Sequence, residues 1–504
     1  MAIVKVCGIE TEYGVVHRGV GDSNPIAASS VLINAYVNEL QRESGNVSWD
    51  YEDESPGNDA RGYAREGAMP PEVETHLVNA VLTNGARYYV DHAHPELSTP
   101  ECADPLSIVR WDRAAEVILQ RSMVAARRML PEGQELVVYK NNSDRKGNSY
   151  GCHENYLMDR QVPFGRIVTH LLPFFVTRQV FTGAGKVGTE VVGADPGTVP
   201  FQLSQRADFF EEEVGLETTL KRPIINTRDE PHADAQKYRR LHVIVGDANL
   251  SEVATFLKVG TTALVLCMVE DEFLPKEWRF AAPVAALRQV SRDVTLRRPV
   301  ELAGGGSATA LEVQWEYFDR AKKYADAFGL DCVGGADVGD DLLRRWESVL
   351  HGLETDPSTL ATQLDWVAKH RLLSGYADRH GIDDWSDARL AAMDLQYHDL
   401  RPEKGLASRV GLEQLVPDAE VESAMTAPPA DTRAWFRGEC LRRFPDAIVA
   451  ANWDSLVFDI GGDPLRRVPM MEPLRGTRDL VGSLLERCST AAEVISALDA
   501  ASKN

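Results

Sequence analysis

The sequence predicts an α+β fold. Segments with the alternating or β-branched pattern of strands are concentrated in the first half of the chain, and helical periodicity dominates from about residue 250 onward. The chain has 504 residues, 44% of them hydrophobic, so it can bury a large core and is long enough for more than one structural unit. No period of roughly 20–50 residues repeats, which argues against a solenoid.

The first predicted strand is the apolar alternating run over residues 3–7, which ends at two glutamates, Glu10 and Glu12. Because side chains at i and i+2 share one face of a strand, both carboxylates point the same way and repel each other. A divalent cation would offset this repulsion, and the solvated face of an edge strand would tolerate it. The two glutamates alone leave both alternatives open.

The next elements are a helix, a long polar segment and a strand. The helix is predicted to run to Leu40, with Ser29 or Ser30 as its N-cap. Residues 49–75 are polar and contain Pro and Gly, and a loop of this length within a compact domain is usually functional or disordered. The strand is predicted over 86–91.

The remaining elements follow from the same patterns. Residues 111–130 predict an amphipathic helix, and 136–139 and 241–245 predict strands. Further helices are predicted within 308–328 and 357–380. The helices are thus added around and after the strands.

A change of composition predicts two domains. The Pro- and Ala-rich stretch at 427–430 marks the boundary between them. We expect a large domain over 1–428, with 49–75 as an insertion loop, and a small C-terminal domain over 431–504.

Composition argues against several classes of protein. The formal net charge of −22 opposes general nucleic-acid binding. A run of about eighteen apolar residues does not occur, so we expect no membrane span, and the N-terminus lacks the pattern of a secretory signal. The seven cysteines are scattered and never form a CxxC pair, which predicts reduced thiols in the cytoplasm and argues against disulfides or structural zinc.

The densest group of titratable residues lies around Pro95. The preceding strand places Arg87, Tyr89 and Asp91 on one face, and we expect Pro95 to end regular pairing, with Glu96 in the following loop. An aspartate beside cations or a metal can act as a general base or as a nucleophile. A plain polar turn is the alternative, but it has no need for so many titratable groups.

Two further motifs carry residues suited to a metal or a phosphate. His153 lies in the glycine-flanked run 147–156, where a ligand and a structural histidine are equally good interpretations. Arg240 and His242 share one face of a predicted strand, and an arginine fork matches phosphate or carboxylate. Neither a Walker A motif nor a GxGxxG motif occurs, so the sequence gives no support for nucleotide binding through either of these motifs.

Other candidates are weaker when taken one at a time. Trp453 fits a core position, which is the more common case, or a ring that stacks on a ligand. Four basic residues taken singly fit a solvated charged face: Arg206, Lys221, Arg222 and Arg228. Acidic and histidine ligands on strands, together with arginines and without thiolates, favour Mg²⁺ bound to nucleotide phosphates over zinc. The residues alone therefore predict a magnesium–nucleotide enzyme that acts on a carboxyl or amide group.

At these motifs the sequence resembles the deamidase/depupylase family that acts on the prokaryotic ubiquitin-like protein Pup. That family belongs to the carboxylate–amine ligase superfamily, with glutamine synthetase and the Pup ligase as relatives. The resemblance covers most of the chain, and the segments that carry it are 10–14, 49–62, 83–87, 90–96, 149–158, 215–234 and 239–249.

The resemblance implies a glutamine-synthetase-like domain, whose curved antiparallel sheet cradles ATP and Mg²⁺, and a small C-terminal domain. It implies hydrolysis of the side-chain amide of Pup's C-terminal glutamine and of the isopeptide bond between Pup and a target lysine. ATP, or ADP plus phosphate, is then a cofactor, and the partners are Pup and pupylated proteins. The proteasomal ATPase is a further candidate partner in such pathways, although no residue of this sequence points to it.

The resemblance also implies roles for single residues. Asp91 matches the catalytic aspartate, either as nucleophile or as general base. The residues expected to help bind the metal are Glu10, Glu12, Tyr89, Glu96, His153 and His242. The residues expected near the nucleotide are Arg87, Thr99, Asn155, Arg240 and Trp453.

The Pup ligase is the alternative, because it shares the fold and most of the metal ligands. Two features favour the depupylase: the segment 49–56 resembles its insertion loop, and the spacing from Asp91 to Glu96 follows its pattern. Because Pup is acidic and so is this chain, a local basic strip must assist their encounter. The candidates for that strip are Arg206, Lys221, Arg222 and Arg228.

Overall fold

The computed structural model describes residues 1–40, 47–52, 54–63, 78–191, 193–195 and 198–501. Helices and strands are mixed, as the sequence predicts. The strands are β1 (Cys7–Glu12), β2 (Gly14–Arg18), β3 (Ser48–Trp49), β4 (Asn79–Val81), β5 (Arg87–Asp91), β6 (His94–Ser98), β7 (Glu135–Tyr139), β8 (Cys152–Asp159), β9 (Lys186–Val187), β10 (Phe201–Gln202), β11 (Phe210–Gly215), β12 (Arg222–Asn226), β13 (Tyr238–Val243), β14 (Val300–Glu301), β15 (Ser307–Ala308), β16 (Ile448–Ala451), β17 (Ser455–Phe458) and β18 (Arg466–Pro469).

The helices of the described residues surround these strands and dominate the second half of the chain. They are α1 (Pro25–Leu40), α2 (Pro105–Arg127), α3 (Phe164–Thr182), α4 (Glu252–Glu270), α5 (Pro283–Ser291), α6 (Ala310–Phe328), α7 (Ala336–Thr355), α8 (Asp365–His380), α9 (Ala388–Tyr397), α10 (Asp418–Ala424), α11 (Ala434–Arg443), α12 (Arg478–Arg487) and α13 (Ala491–Ala501).

The main sheet has six strands in the order β13-β8-β1-β6-β5-β4, and every neighbouring pair is antiparallel. Strand β1 lies near the middle. Its residues alternate between a buried face, with Cys7, Ile9 and Thr11, and a partly exposed face that carries Glu10 and Glu12. The two carboxylates thus share the open face of the sheet, as their spacing predicts.

The largest hydrophobic core lies on the buried face of this sheet and includes α4. By length and composition α4 is apolar enough to span a membrane, but its apolar stretch is entirely buried within the fold. Its one lysine, Lys258, bonds to the Asp247 carbonyl at 2.8 Å and to Asn249 Oδ1 at 3.1 Å. Packing inside the protein therefore accounts for the apolar character of this helix.

A second hydrophobic core is built mainly from residues after 435, but the N-terminal part of the chain contributes Val47, Trp49 and Val81. Strand β3 pairs in parallel with β16, in a four-stranded sheet with the order β18-β17-β16-β3. The segment around Trp49 therefore belongs to the same core as the C-terminal residues.

Two predicted element boundaries were wrong at the start of the chain. The first strand begins at Cys7 and contains the two glutamates, because Lys5 N bonds to the carbonyl of Cys332 and not to a sheet neighbour. Helix α1 begins at Pro25. Proline suits the first position of a helix because a backbone N–H there has no partner within the helix. Ser29 lies inside that helix and donates to the Pro25 carbonyl, so it is not the N-cap.

The prediction that Pro95 ends the strand pairing was also wrong. Strands β5 and β6 form a hairpin in which Asp91 pairs with His94 across a two-residue turn, and His92 in that turn has a φ of 51°. Pro95 lies at the start of β6, and its carbonyl accepts a hydrogen bond from Tyr13 N. As a result, Glu96 lies on the sheet itself.

A buried charge cluster contains Lys140, whose Nζ lies 2.7 Å from Asp112 Oδ2 and 2.8 Å from Glu116 Oε1. Lys140→Met is expected to lower the free energy of unfolding by about 3–5 kcal/mol, because buried Asp112 loses its cation and buried Glu116 keeps only Arg113. Urea unfolding measures this loss. Arg442→Met, which breaks an exposed pair with Glu439, is the control and should cost less than about 1 kcal/mol. A similarly small loss at Lys140 would contradict the assignment.

Candidate active site

The open face of the main sheet collects acidic, basic and imidazole side chains from five neighbouring strands. Period-two alternation brings each of them to this face, and the antiparallel register sets Glu10 opposite His153 and Glu12 opposite Glu96. The predicted residues found there are Glu10, Glu12, Arg87, Tyr89, Asp91, Glu96, His153, Asn155, Arg240 and His242.

Glu10 is the centre of the first group. Its Oε2 lies 3.5 Å from His153 Nδ1 and 3.8 Å from His242 Nε2, and Asn155 donates to its Oε1 at 2.7 Å. One ligand atom from each of Glu10, His153 and His242 falls within 4.8 Å of the others. His242 is buried, and neither of its ring nitrogens has a hydrogen-bond partner in the described part of the chain. The three side chains are therefore placed to share an ion.

The charge of Glu10 is set by its surroundings. Burial raises the pKa of Glu10, but the imidazoles of His153 and His242 and the guanidinium of Arg240 outweigh it and hold that pKa well below its usual value. Arg240 donates to Asn155 Oδ1 at 2.6 Å and lies 3.6 Å from Glu10. Glu10 is therefore ionised at neutral pH, as a ligand of a divalent cation must be.

The second group consists of Glu12, Asp91 and Glu96, whose carboxylate oxygens also approach one another within 4.8 Å. Burial and the neighbouring acids Asp91, Glu12 and Glu10 raise the pKa of Glu96 well above its usual value. Tyr89 donates to Glu96, and burial together with that carboxylate raises the pKa of the phenol, so Tyr89 keeps its proton. Three carboxylates this close repel one another unless a cation lies between them.

The donor set fits a divalent cation such as Mg²⁺. Four of the six ligand groups are carboxylates and two are imidazoles, both in the first group, and no cysteine belongs to either group among the described residues. Asp91 lies at the edge of the set: its carboxylate accepts a hydrogen bond from His92 at 2.8 Å and remains partly exposed. Asp91 can therefore reach a substrate while it contacts the acidic group.

A cleft that is open to solvent lies beside Glu10. Thr99, Asn155, Arg240 and Trp453 line it, which brings together four of the five residues predicted near the nucleotide. Thr99 Oγ1 accepts a hydrogen bond from Ile9 N at 3.0 Å, which fixes this wall to β1. The cleft lies directly next to the first group. A nucleotide whose phosphates contact a metal in that group would require a cleft in this position.

The fifth residue, Arg87, lies between aromatic rings next to this cleft. Its guanidinium carbon is 3.9 Å from the centre of the Trp49 ring and 3.8 Å from that of Tyr89. Trp49 in turn packs edge-on against Trp453, with 5.3 Å between the ring centres. Arg87 is thereby connected to Trp453 through Trp49.

The four basic candidates have different local surroundings. Arg206 and Arg222 lie on either side of Ser149, where they donate to its Oγ and to its carbonyl respectively. Arg228 lies across from Asp59, in an isolated β-bridge. Lys221 is exposed and has no ion-pair partner in the ranges that the structure covers.

A buried ion cluster at the cleft was missed in the sequence. Glu101 accepts hydrogen bonds from Arg433 and Arg437, and both Glu101 and Arg433 line the cleft. Burial raises the pKa of Glu101, but Arg437 and Arg433 outweigh it and lower that pKa to about 2. The i, i+4 spacing of the two arginines was visible, but on its own it is also typical of an exposed helix.

The part of the 49–75 loop that the structure describes also contacts the site. Trp49 Nε1 donates to Glu54 at 2.7 Å, and Ser55 N donates to Glu230, whose main-chain carbonyl accepts from Arg240 Nε. Residue 53 and residues 64–75 of the predicted loop lie outside the described residues.

Comparison with known proteins identifies the family of this chain. Residues 5–457 match the family model described as Pup-ligase protein. A depupylase of Acidothermus cellulolyticus is 55% identical over 507 residues, which is 98% of this chain and 99% of that protein. A Pup deamidase/depupylase of Mycobacterium tuberculosis is 50% identical over 513 residues, with the same two shares.

A solved structure has a similar fold. It is the Pup ligase PafA in complex with ADP, which is 35% identical, gives a TM-score of 0.72, and covers 81% of this chain and 89% of its own. The fold is therefore the glutamine-synthetase-like one that the resemblance implies. By sequence and by fold, the chain belongs to the Pup-ligase protein family, together with the Pup deamidases/depupylases.

Proposed function

We propose that this protein is an ATP- and Mg²⁺-dependent amidohydrolase that acts on Pup. It hydrolyses the side-chain amide of Pup's C-terminal glutamine and cleaves the isopeptide bond between Pup and target lysines. One observation carries the proposal: relatives that match this chain over almost its whole length, at 50–55% identity, are named depupylase or Pup deamidase/depupylase.

The roles of the acidic residues follow from their places on the sheet. Glu10 with His153 and His242, and Glu12 with Glu96, hold Mg²⁺ and the nucleotide phosphates. Bound there, Mg²⁺ neutralises the crowded carboxylates and polarises a bound phosphoryl or carbonyl oxygen. Tyr89 supports this set by donating to Glu96.

Asp91 carries the reaction. It is the partly exposed member of the acidic group, and His92 holds its carboxylate at 2.8 Å. As a general base it takes a proton from the water that attacks the amide carbon, the C–N bond breaks, and the proton passes to the leaving ammonia or lysine amine. As a nucleophile it attacks the amide carbon and expels the same amine, and water then hydrolyses the resulting anhydride to release Pup and restore Asp91. Both roles require the same position, within reach of the amide and beside the metal ligands.

The nucleotide is proposed to occupy the cleft beside Glu10, against Thr99 and Trp453. A Pup ligase of similar fold is known in complex with ADP, which supports ATP, or ADP plus phosphate, as the cofactor.

All seven cysteines are free and buried, which fits a reducing cytoplasmic location. Pup and pupylated proteins are the proposed partners, and the proteasomal ATPase is a further candidate.

The proposal is tested with a Pup–protein conjugate incubated with and without nucleotide and Mg²⁺. Free Pup should appear only when both are present, and chelation with EDTA should stop its release because the acidic groups lose their cation. Release is followed by gel electrophoresis and mass spectrometry. Enzyme that binds nucleotide but releases no Pup would count against the proposal.

The Pup ligase is the alternative function, since the ligase PafA shares the fold. A ligase would join Pup ending in glutamate to a target lysine and would produce one ADP for each bond formed. Conjugate formation with stoichiometric ADP, in place of conjugate cleavage, would establish that alternative.

A further inference from the structure

One buried arginine of helix α11 uses every hydrogen-bond donor of its side chain. The guanidinium of Arg437 is fully buried, and its five N–H groups make five hydrogen bonds. Nε and Nη2 donate to the Gly85 carbonyl at 3.3 and 2.9 Å, and Nη1 donates to the Trp453 carbonyl at 2.9 Å. Both Nη groups also donate to the carboxylate of Glu101. Every donor of this side chain is therefore committed within the protein.

Each partner of this arginine lies at or beside a residue proposed to contact the nucleotide. Trp453 lines the cleft itself. Glu101 lines it too and lies two residues after Thr99. Gly85 lies in the turn before β5, two residues ahead of Arg87. The arginine itself is not among the described residues that line the cleft, so it reaches a bound nucleotide only through the groups that it holds.

Charge fixes the orientation of this guanidinium. Burial favours the neutral form of Glu101, but Arg437 and Arg433 outweigh it and lower its pKa to about 2, so the carboxylate is ionised at neutral pH. A buried cation is costly unless an anion compensates it, and the carboxylate does so here. Two parallel contacts to one carboxylate also fix the plane of the guanidinium. The directions of its bonds to the carbonyls of Gly85 and Trp453 are thereby set.

We propose that Arg437 is a positioning residue for the nucleotide, because it fixes the Trp453 wall of the cleft against the wall that carries Thr99. This inference rests on the proposed function, in which the nucleotide occupies that cleft. Glu101 and Arg437 are 336 residues apart in the sequence, so chain connectivity alone does not set the distance between the walls. Walls that are already in place before binding lower the ordering cost of binding.

The proposed role separates nucleotide affinity from the chemical step. The hydrogen bonds of Arg437 reach neither Asp91 nor the two groups of metal ligands in the described part of the chain. Loss of the arginine fork should therefore weaken nucleotide binding, while enzyme saturated with nucleotide keeps its rate of amide hydrolysis.

The first test replaces Arg437 by lysine. Lysine keeps a positive charge opposite Glu101, but its three donors share one atom and cannot span the carboxylate and two carbonyls. We expect the Kd of a fluorescent ATP analogue with Mg²⁺ to rise about 10- to 100-fold, as when one or two hydrogen-bonded contacts are lost. The kcat for conjugate cleavage at saturating nucleotide should stay within about 2-fold of wild type.

A double-mutant cycle identifies the residue through which Arg437 acts. Trp453→Ala removes the indole ring but keeps the main-chain carbonyl that accepts from Arg437. If the arginine positions that ring, Arg437→Lys should raise the Kd by less than about 3-fold in the Trp453→Ala background. An equal rise in both backgrounds would overturn the proposal. Glu101→Gln releases the arginine fork from the other side and takes the place of Arg437→Lys in the cycle if that variant does not fold.

A matched arginine separates positioning from stability. Arg113 joins Glu116 on α2 to Glu252 on α4, and none of the three lines the cleft in the described chain. Arg113→Lys should lower the melting temperature of the nucleotide-free enzyme and leave the Kd unchanged. If Arg437→Lys also lowers only the melting temperature, the arginine has a structural role alone and the proposal is overturned. Failure of the proposed function has a different signature, because wild-type enzyme then releases no Pup or binds no nucleotide.

Discussion

Replacing Asp91 by asparagine is expected to reduce hydrolysis of a Pup–protein conjugate by at least about 10²–10⁴-fold, the usual contribution of a positioned acid or base. The amide has nearly the shape of the carboxylate, but it can neither take a proton nor attack a carbonyl at neutral pH. Single-turnover release of Pup measures the loss. Nucleotide binding should persist, because Asp91 lies outside the residues that line the cleft.

The control for Asp91→Asn is the same substitution at Asp384, a surface position whose carboxylate bonds only to Ser386 in the described chain. That variant should hydrolyse the conjugate at the wild-type rate. If Asp91→Asn also retained activity, the protein would be either a Pup-binding module or an enzyme whose reacting group lies elsewhere. Capture of Pup by the inactive variant would show that the substrate still binds.

Charge reversal at Glu10 is expected to abolish nucleotide-dependent activity. Glu10→Lys places an ammonium beside His153, His242 and Arg240. Among the described residues, Glu10 supplies the only carboxylate of the group that it forms with the two histidines. We expect the affinity for the Mg²⁺–nucleotide complex to fall by at least about 100-fold, since repulsion replaces a contact to a charged ligand. Titration with a fluorescent ATP analogue in the presence of Mg²⁺ measures the change.

Two comparisons make the Glu10 result specific. Glu10→Gln removes the charge without adding a cation and should lie between wild type and Glu10→Lys. Glu347→Lys makes the same reversal at a half-exposed position on α7 and should leave nucleotide affinity unchanged. Hydrolysis that continues in Glu10→Lys, or in wild-type enzyme stripped of Mg²⁺, would reject the assignment of Glu10 to the metal.

Local periodicity was sufficient to place the acidic side chains on one face. The pairs Glu10 and Glu12, and Tyr89 and Asp91, follow from the two-residue repeat of a strand, whatever its partners are. The limits of the strands were harder to predict, because they depend on distant partners. Lys5, for example, bonds to Cys332 and so lies outside β1.

Pro95 shows a second reason for error. The missing N–H of proline predicts the end of a strand, yet here the residue begins β6 and its carbonyl is used by Tyr13. Arg433 and Trp453 reach the cleft from more than 300 residues beyond Thr99 in the sequence. Arg437 bonds to Glu101 across a similar separation, and no local pattern predicts such contacts. For Trp453 only the family resemblance pointed to the nucleotide.

The cleft has walls from both hydrophobic cores. Asn155 belongs to the main sheet and Thr99 directly follows β6, whereas Trp453 packs with the second core, and Arg433 precedes its first helix. A ligand that fills the cleft therefore joins the two cores and adds its binding free energy to the cohesion between them. Loosening of the second core would dismantle one wall of the cleft and leave the acidic face intact, so the cofactor would leave before the catalytic carboxylates are disturbed.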